Sequence, residues 1–251
     1  NFKSKVKKNS RQSFLKKCIK QLDILPGDNL LVSSSILGLL IKCKQNKEDF
    51  NPNIIIDCLI EKIGPNGNLL FPTYNWDFCK GYAFDYFKTV SRVGALSNFA
   101  LKRKDFERSH NPIYSFAVYG KNKDEICNLK HQSCFGLNSP FGFLIKNNGK
   151  NLFIGLDYKD GFTFAHLAEQ KVGVSYRYFK TFKGNYLDKL YRKKNLNFKM
   201  YVRKLELNII TGIDKKLDDI LFSIGGLEKK KINGINFSIV DIRKAYEVMV
   251  S

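Results

Sequence analysis

The chain predicts an α/β fold, and three observations carry the prediction. At 251 residues and 28.9 kDa it is long enough to bury one large core. Asn29-Leu-Leu-Val32, a helical stretch from Asn53 to Ile63, and Asn68-Leu-Leu-Phe71 alternate strand, helix and strand as in βαβ units. Further on, the apolar run Asn151-Leu-Phe-Ile-Gly-Leu156 opens through a polar turn, Asp157 to Asp160, into a helical stretch from about His166 to Lys171.

The other elements follow in chain order. The first twenty-odd residues read as a basic amphipathic helix with Phe14, Leu15, Cys18, Ile19 and Leu22 on its apolar stripe. Leu25-Pro-Gly-Asp28 is a turn, and the strand after it ends in three serines, Ser33 to Ser35. A helix is expected near Ile36 to Lys42, and Gly64-Pro-Asn-Gly67 is a strong turn signal before the next strand. Tyr74 to Tyr86 is aromatic and irregular, as in a long functional loop. Ser91-Arg-Val-Gly94 starts a helix through Lys102, and Tyr114 to Tyr119 is a strand. Tyr176 to Lys183 alternates aromatic and basic residues like an exposed strand or hairpin. A helix is expected near Leu217 to Leu227, and Ile239 to Val250 is apolar at helical spacing.

Composition narrows the class. An aromatic content of 14% argues against disorder, and 43 Lys and Arg against 23 Asp and Glu give a formal charge of +20. Basic runs at Lys3 to Lys20, Lys180 to Lys204 and Lys229 to Lys231 match no helix-turn-helix, zinc-finger or ribonucleoprotein signature, so no nucleic-acid partner is expected. Such a surface also suits small polyphosphates. Six cysteines without C-x-x-C spacing point to a reduced, cytoplasmic setting, and the loose trio Cys127, His131 and Cys134 lacks a fourth ligand, so no metal is expected. The longest apolar run, Leu30 to Ile41, is broken by serines and falls short of the ~20 residues that span a bilayer.

The chemistry concentrates in Gly161-Phe-Thr-Phe-Ala-His-Leu-Ala-Glu-Gln170. His166 and Glu169 are three apart and share one helix face. The preceding strand puts that face at the carboxyl edge of the sheet, where α/β folds bind substrate. An imidazole accepts protons near neutrality, and a neighbouring carboxylate fixes its tautomer and stabilises the imidazolium. The structural alternative is a histidine that packs the helix beside a solvated glutamate.

Several ordered motifs carry a wider resemblance. Pro26-Gly-Asp28 with Val32-Ser-Ser-Ser35, Gly67-Asn-Leu-Leu-Phe-Pro-Thr-Tyr74, Ser91-Arg-Val-Gly-Ala-Leu96, Arg108-Ser-His-Asn-Pro-Ile-Tyr-Ser-Phe-Ala117, Ser139-Pro-Phe-Gly142 and Thr163-Phe-Ala-His-Leu-Ala-Glu169 occur in sequence. Together, from about Leu25 to Tyr178, they resemble the aminoglycoside 3-N-acetyltransferase family, in the branch that includes amino-sugar acetyltransferases of surface-glycan pathways. The resemblance implies a three-layer α/β/α fold distinct from the common N-acetyltransferase superfold. The implied organisation is one domain over 1–251: a basic N-terminal helix (1–24), a motif-bearing core (25–178) and a C-terminal extension (179–251).

It also implies an activity, acetyl transfer from acetyl-coenzyme A to a sugar amine, with His166 as general base and Glu169 or Asp160 as its orienting carboxylate. Ser34, Ser35, Thr73, Ser91, Arg92 and Ser115 are the implied coenzyme contacts, and Arg92 suits a phosphate. The alternative for each hydroxyl is a cap or turn bond. His110, Tyr74 and Trp76 are candidates for the acceptor site, with loop anchoring as their alternative. Ser33 stands where many antibiotic-modifying members have histidine. That departure and the basic surface favour a nucleotide-linked amino sugar for polysaccharide biosynthesis over an aminoglycoside antibiotic. A non-enzymatic basic binding protein is the reading from another class. A covalent route through Cys134 is not expected, because nothing in the sequence lowers its pKa.

Overall fold

In the computed structural model, residues 13–209 and 212–251 are described. The strands among them are β1 (Asn29–Ser34), β2 (Asn68–Pro72), β3 (Phe84–Asp85), β4 (Glu107–Arg108), β5 (Phe116–Gly120), β6 (Lys150–Ile154), β7 (Arg177–Leu187), β8 (Lys193–Arg203), β9 (Leu227–Ile232) and β10 (Ile235–Asp241). The helices are α1 (Phe14–Lys20), α2 (Leu37–Gln45), α3 (Pro52–Ile63), α4 (Ala95–Leu101), α5 (Lys123–Cys127), α6 (Pro140–Lys146), α7 (Tyr158–Gly161), α8 (Ala165–Val172), α9 (Lys215–Ser223) and α10 (Ile242–Val250).

A seven-stranded sheet in the order β4-β5-β2-β1-β6-β10-β9 forms the frame. Its centre, β2-β1-β6, is parallel, and antiparallel strands flank it on both sides. Strand alternation sorts the core into two layers. Leu30, Val32, Leu69, Phe71, Leu152 and Ile154 face a cluster shared with α1, α3 and α4. Leu31, Leu70 and Phe153 face the other side, toward α6, α8, α10 and the second sheet. Side chains on a strand point alternately to opposite faces, so these near-continuous apolar strands fill both layers at once. The second sheet, β3-β7-β8, is built on the long β7–β8 hairpin.

Three expectations change. The aromatic stretch Tyr74 to Tyr86 is sewn down by a 3₁₀ turn at Phe78–Lys80 and by β3, which pairs with Tyr186 and Leu187. Ile239 and Val240 belong to a strand, and the last helix begins only after Asp241, whose carboxylate accepts from the Lys244 N–H. The helix expected near Leu217 to Leu227 ends at Ser223, and Leu227 opens β9. Of the N-terminal helix, Phe14–Lys20 is seen with its apolar stripe buried, and residues 1–12 lie outside the described residues.

The turn that leads from β6 toward the candidate site depends on Gly155. Its φ is +70°, and a Cβ there would stand 2.4 Å from the Ser35 carbonyl oxygen. Gly155→Ala is therefore expected to cost on the order of 1–3 kcal/mol, from left-handed strain and backbone contact together. Urea denaturation checks it, and a loss within error of zero would remove the constraint.

Candidate active site

The chain leaves β6 at its carboxyl end, and Asp157 turns it by accepting the Lys159 N–H at 3.0 Å, capping α7. Only Phe162, Thr163 and Phe164 separate α7 from α8, so Asp160 and His166 come to line one cavity of about 500 Å³. Glu169, Tyr176, Arg177, Asp214, Leu217 and Met249 complete much of its wall.

Within it, His166 Nδ1 lies 2.6 Å from Glu169 Oε2. Glu169 Oε1 accepts the Tyr176 hydroxyl at 2.8 Å, and Arg177 Nε stands 2.9 Å from Oε2. Burial pushes the Glu169 carboxyl up, but the hydrogen bond and charge of His166, the Tyr176 hydroxyl and the Arg177 charge outweigh it, so the group sits below its usual value. The Tyr176 phenol goes up to about 12, through burial and its bond to Glu169. Held by an ionised carboxylate at Nδ1, the imidazole carries its proton there and offers the Nε2 lone pair. Among the described residues Nε2 has no hydrogen-bond partner. The Phe135 ring packs edge-on against the imidazole, with centroids 5.2 Å apart.

Of the two candidate carboxylates, Glu169 is the one on the imidazole. Asp160 lines the same cavity, and its recorded bond is the backbone turn from its N–H to the Asp157 carbonyl.

The implied coenzyme contacts divide. Ser34 and Ser35 end β1 at the same sheet edge, half-buried and exposed, and Ser34 lies against Gly94 of the Ser91–Gly94 turn. Arg92 is 54% exposed in its side chain and bonds Asp77 at 2.7 Å, leaving its fork within reach of a solvent-side anion. Thr73 and Ser115 are fully buried, and their hydroxyls meet at 2.7 Å. Arg108 Nε donates to the same Ser115 oxygen at 3.2 Å, so both hydroxyls are spent on bracing the strand ends. Ser91 is likewise buried and spends its hydroxyl on the Val93 carbonyl at 2.6 Å. For all three the turn-and-brace alternative describes the observed bonds.

The acceptor candidates behave similarly. Tyr74 is buried between Tyr114 and Phe116, and desolvation pushes its phenol far up. Trp76 is half-buried and its indole N–H donates to Tyr114 at 3.3 Å. His110 packs on Tyr186 and Phe198, and its carbonyl accepts the Tyr186 hydroxyl at 2.8 Å. None of the three lines the cavity beside His166. An aromatic run gives no sign of whether its rings point inward or outward, which is why the sequence left them open.

Cys127, His131 and Cys134 turn to separate partners: the Glu107 carbonyl, the Ser133 carbonyl and the Asn111 side chain. Burial pushes the Cys134 thiol far up, which disfavours a thiolate. Tyr176 and Arg177 were missed as site residues because they open a stretch that reads as an exposed ribbon. The usable signal was their place just after Gly173, which ends α8 with φ +74° and turns the chain back past Glu169. Asp214 carried a plainer signal, an N-cap carboxylate before a helix, which it is.

An imidazole–carboxylate pair beside an open cavity at the carboxyl edge of the sheet's parallel centre is equipment for moving a group onto a nucleophile that must first lose a proton. The family model described as aminoglycoside 3-N-acetyltransferase matches residues 43–251, and the chain belongs to that family. A curated Bacillus subtilis (strain 168) protein, SPbeta prophage-derived aminoglycoside N(3')-acetyltransferase-like protein YokD, is 33% identical over 112 residues. That match covers 42% of this chain and 40% of the relative. The crystal structure of YokD superposes with a TM-score of 0.72 at 20% identity, over 95% of this chain and 96% of that one. Aminoglycoside acetyltransferase AAC(3)-Xa gives 0.76 at 18%, over 94% and 90%. AAC-IIIb, solved as a binary complex with CoASH, gives 0.72 at 18%, over 94% and 93%. The three-layer α/β fold is therefore that of the family. No helix among the described residues is long and apolar enough to cross a membrane.

Proposed function

We propose that this protein transfers an acetyl group from acetyl-coenzyme A to an amino group on a sugar ring of aminoglycoside type, in a direct reaction within a ternary complex. The observation that carries the reading is the 2.6 Å contact between His166 Nδ1 and Glu169, which leaves Nε2 as the proton acceptor beside the cavity. A sugar amine is mostly protonated at neutral pH and attacks a thioester only after a base has taken a proton. His166 is that base, and Glu169 stabilises the imidazolium. Asp160 and Asp214, on the same cavity, attract the cationic acceptor. Ser34, Ser35 and Arg92 are the residues with exposure enough to meet the coenzyme.

Aminoglycosides lead over a nucleotide-linked sugar because the named relatives include an aminoglycoside acetyltransferase, AAC(3)-Xa, and an aminoglycoside N(3')-acetyltransferase-like protein. The second reading, a nucleotide-linked amino sugar of polysaccharide biosynthesis, keeps one observation. Ser33, half-buried and 3.3 Å from Asn151 Nδ2, stands where the family resemblance implies a histidine in antibiotic-modifying members.

The deciding experiment is an acceptor screen that follows free-thiol release from acetyl-coenzyme A. Aminoglycosides, free amino sugars and nucleotide-linked amino sugars form the panel. Turnover with aminoglycosides is the expected result, and turnover confined to nucleotide-linked sugars would hand the assignment to the second reading. Coenzyme A alone should raise the melting temperature by mass action, equivalent to roughly 2.7 kcal/mol at a hundredfold excess over Kd. No shift at millimolar coenzyme would sink the acetyltransferase reading.

A further inference from the structure

Arg177, the first residue of β7, touches both members of the pair. Its Nε lies 2.9 Å from Glu169 Oε2, its Nη2 3.2 Å from His166 Nδ1, and its Nη1 donates to the Tyr201 carbonyl at 3.1 Å. The side chain is only 8% exposed, so these charges meet with little solvent between them. The two contacts at Nδ1 cannot both be hydrogen bonds. If Nδ1 carries a proton it donates to one acceptor, and it cannot then accept from Arg177. The shorter, charge-assisted contact to Glu169 takes the proton. Arg177 Nη2 therefore stands against the imidazole as a positive charge without a bond to it.

We propose that Arg177 is the positioning residue of the pair: it clamps Glu169 Oε2 so that His166 keeps the Nδ1–H tautomer and presents Nε2 to the cavity. The inference rests on the reading of His166 as the base. A strut joining β7 to α8 would need only the ion pair with Glu169 and the bond to Tyr201. The approach of Nη2 to Nδ1 adds nothing to such a strut and works against it once the ring is protonated. Glu169 is already tied to the neighbouring residue through Tyr176, so Arg177 is not required to hold the carboxylate in the pocket at all. What it adds is the choice of which oxygen faces the ring and a fixed cation beside it. The other charged groups around His166 are Glu169 on its own helix, Lys159 and Asp160 on α7, and Asp214 ahead of α9; Tyr176 and Phe135 close the remaining sides. Lys159 pairs with Asp218 at 3.1 Å, which leaves Arg177 as the cation in contact with the ring.

The test uses the full chain, Arg177→Met and Arg177→Lys, with two readouts: the pH dependence of kcat/KM and the ¹⁵N signals of the His166 ring. The chain has three histidines, so His166→Ala assigns the signals by subtraction. Arg177→Met is expected to lower kcat/KM roughly tenfold, because a ring that carries its proton on Nε2 cannot accept one there. Its ring signals should report mixed tautomers. Arg177→Lys keeps a charge but has no fork, so the tautomers should mix there too; it also serves if Arg177→Met does not fold. A rate loss with the wild-type tautomer retained overturns the proposal and leaves a strut. Failure of the underlying reading looks different: in the wild type itself, the ring titration would not coincide with the kinetic acid limb.

Discussion

His166→Ala is expected to lower kcat/KM for acetyl transfer by about 10²- to 10⁴-fold, the range for a positioned general base, while coenzyme affinity stays within about twofold. The two halves come from different parts of the sheet edge. The imidazole sits on α8 against Glu169, whereas the coenzyme candidates Ser34, Ser35 and Arg92 sit at the end of β1 and in the turn before α4. Removing the ring leaves Glu169 with the Tyr176 hydrogen bond and the Arg177 ion pair, so the carboxylate keeps partners and folding should be little affected. Steady-state kinetics with a fixed acceptor, beside calorimetry of coenzyme binding, separate the outcomes. Near-normal turnover would remove His166 as base, and joint loss of turnover and coenzyme binding would mean that the ring supports the fold of the site. Loss of turnover alone is the expected signature.

What the sequence disclosed of this arrangement follows physical lines. The central strands were legible because both faces are buried, which makes Leu30 to Val32 and Leu69 to Phe71 unbroken apolar runs. The edge strand β9 was not, because Leu227-Glu-Lys-Lys-Lys-Ile232 carries the charged residues that protect a sheet edge, and charge hides strand periodicity. Ile239 and Val240 read as helix because an apolar strand running straight into an amphipathic helix gives no break in hydrophobicity; only the Asp241 cap marks the boundary. At the site, spacing alone was enough for His166 and Glu169, since a three-residue step on a helix dictates contact. Arg177 is eight residues past Glu169 across a chain reversal, and a contact of that kind is set by where the strand returns. Thr73, Ser91 and Ser115 show the converse: a small hydroxyl at a strand end looks the same in sequence whether it meets a ligand or closes a backbone bond.

Below neutrality the fold is expected to lose about 3 kcal/mol of stability through a single side chain, His131. The residue is 4% exposed, its Nδ1–H donates to the Ser133 carbonyl at 2.8 Å, and its buried Nε2 has no partner among the described residues. Burial takes its value down to about 4, against the opposing pull of the Ser133 bond. The unfolded chain holds the same group near 6.5. Between those limits the unfolded state binds the proton and the folded state does not, so stability rises with pH there. The contribution is fully present above about 6.5 and is lost as the pH falls toward 4, at about 1.4 kcal/mol per unit. His131→Asn keeps a donor for the Ser133 carbonyl and removes the titration. Urea midpoints of the two proteins should therefore converge as the pH drops from 8 to 4.5, the wild type falling more steeply. Parallel curves would mean that Nε2 finds an acceptor in solution and that the buried ring can be charged where it stands.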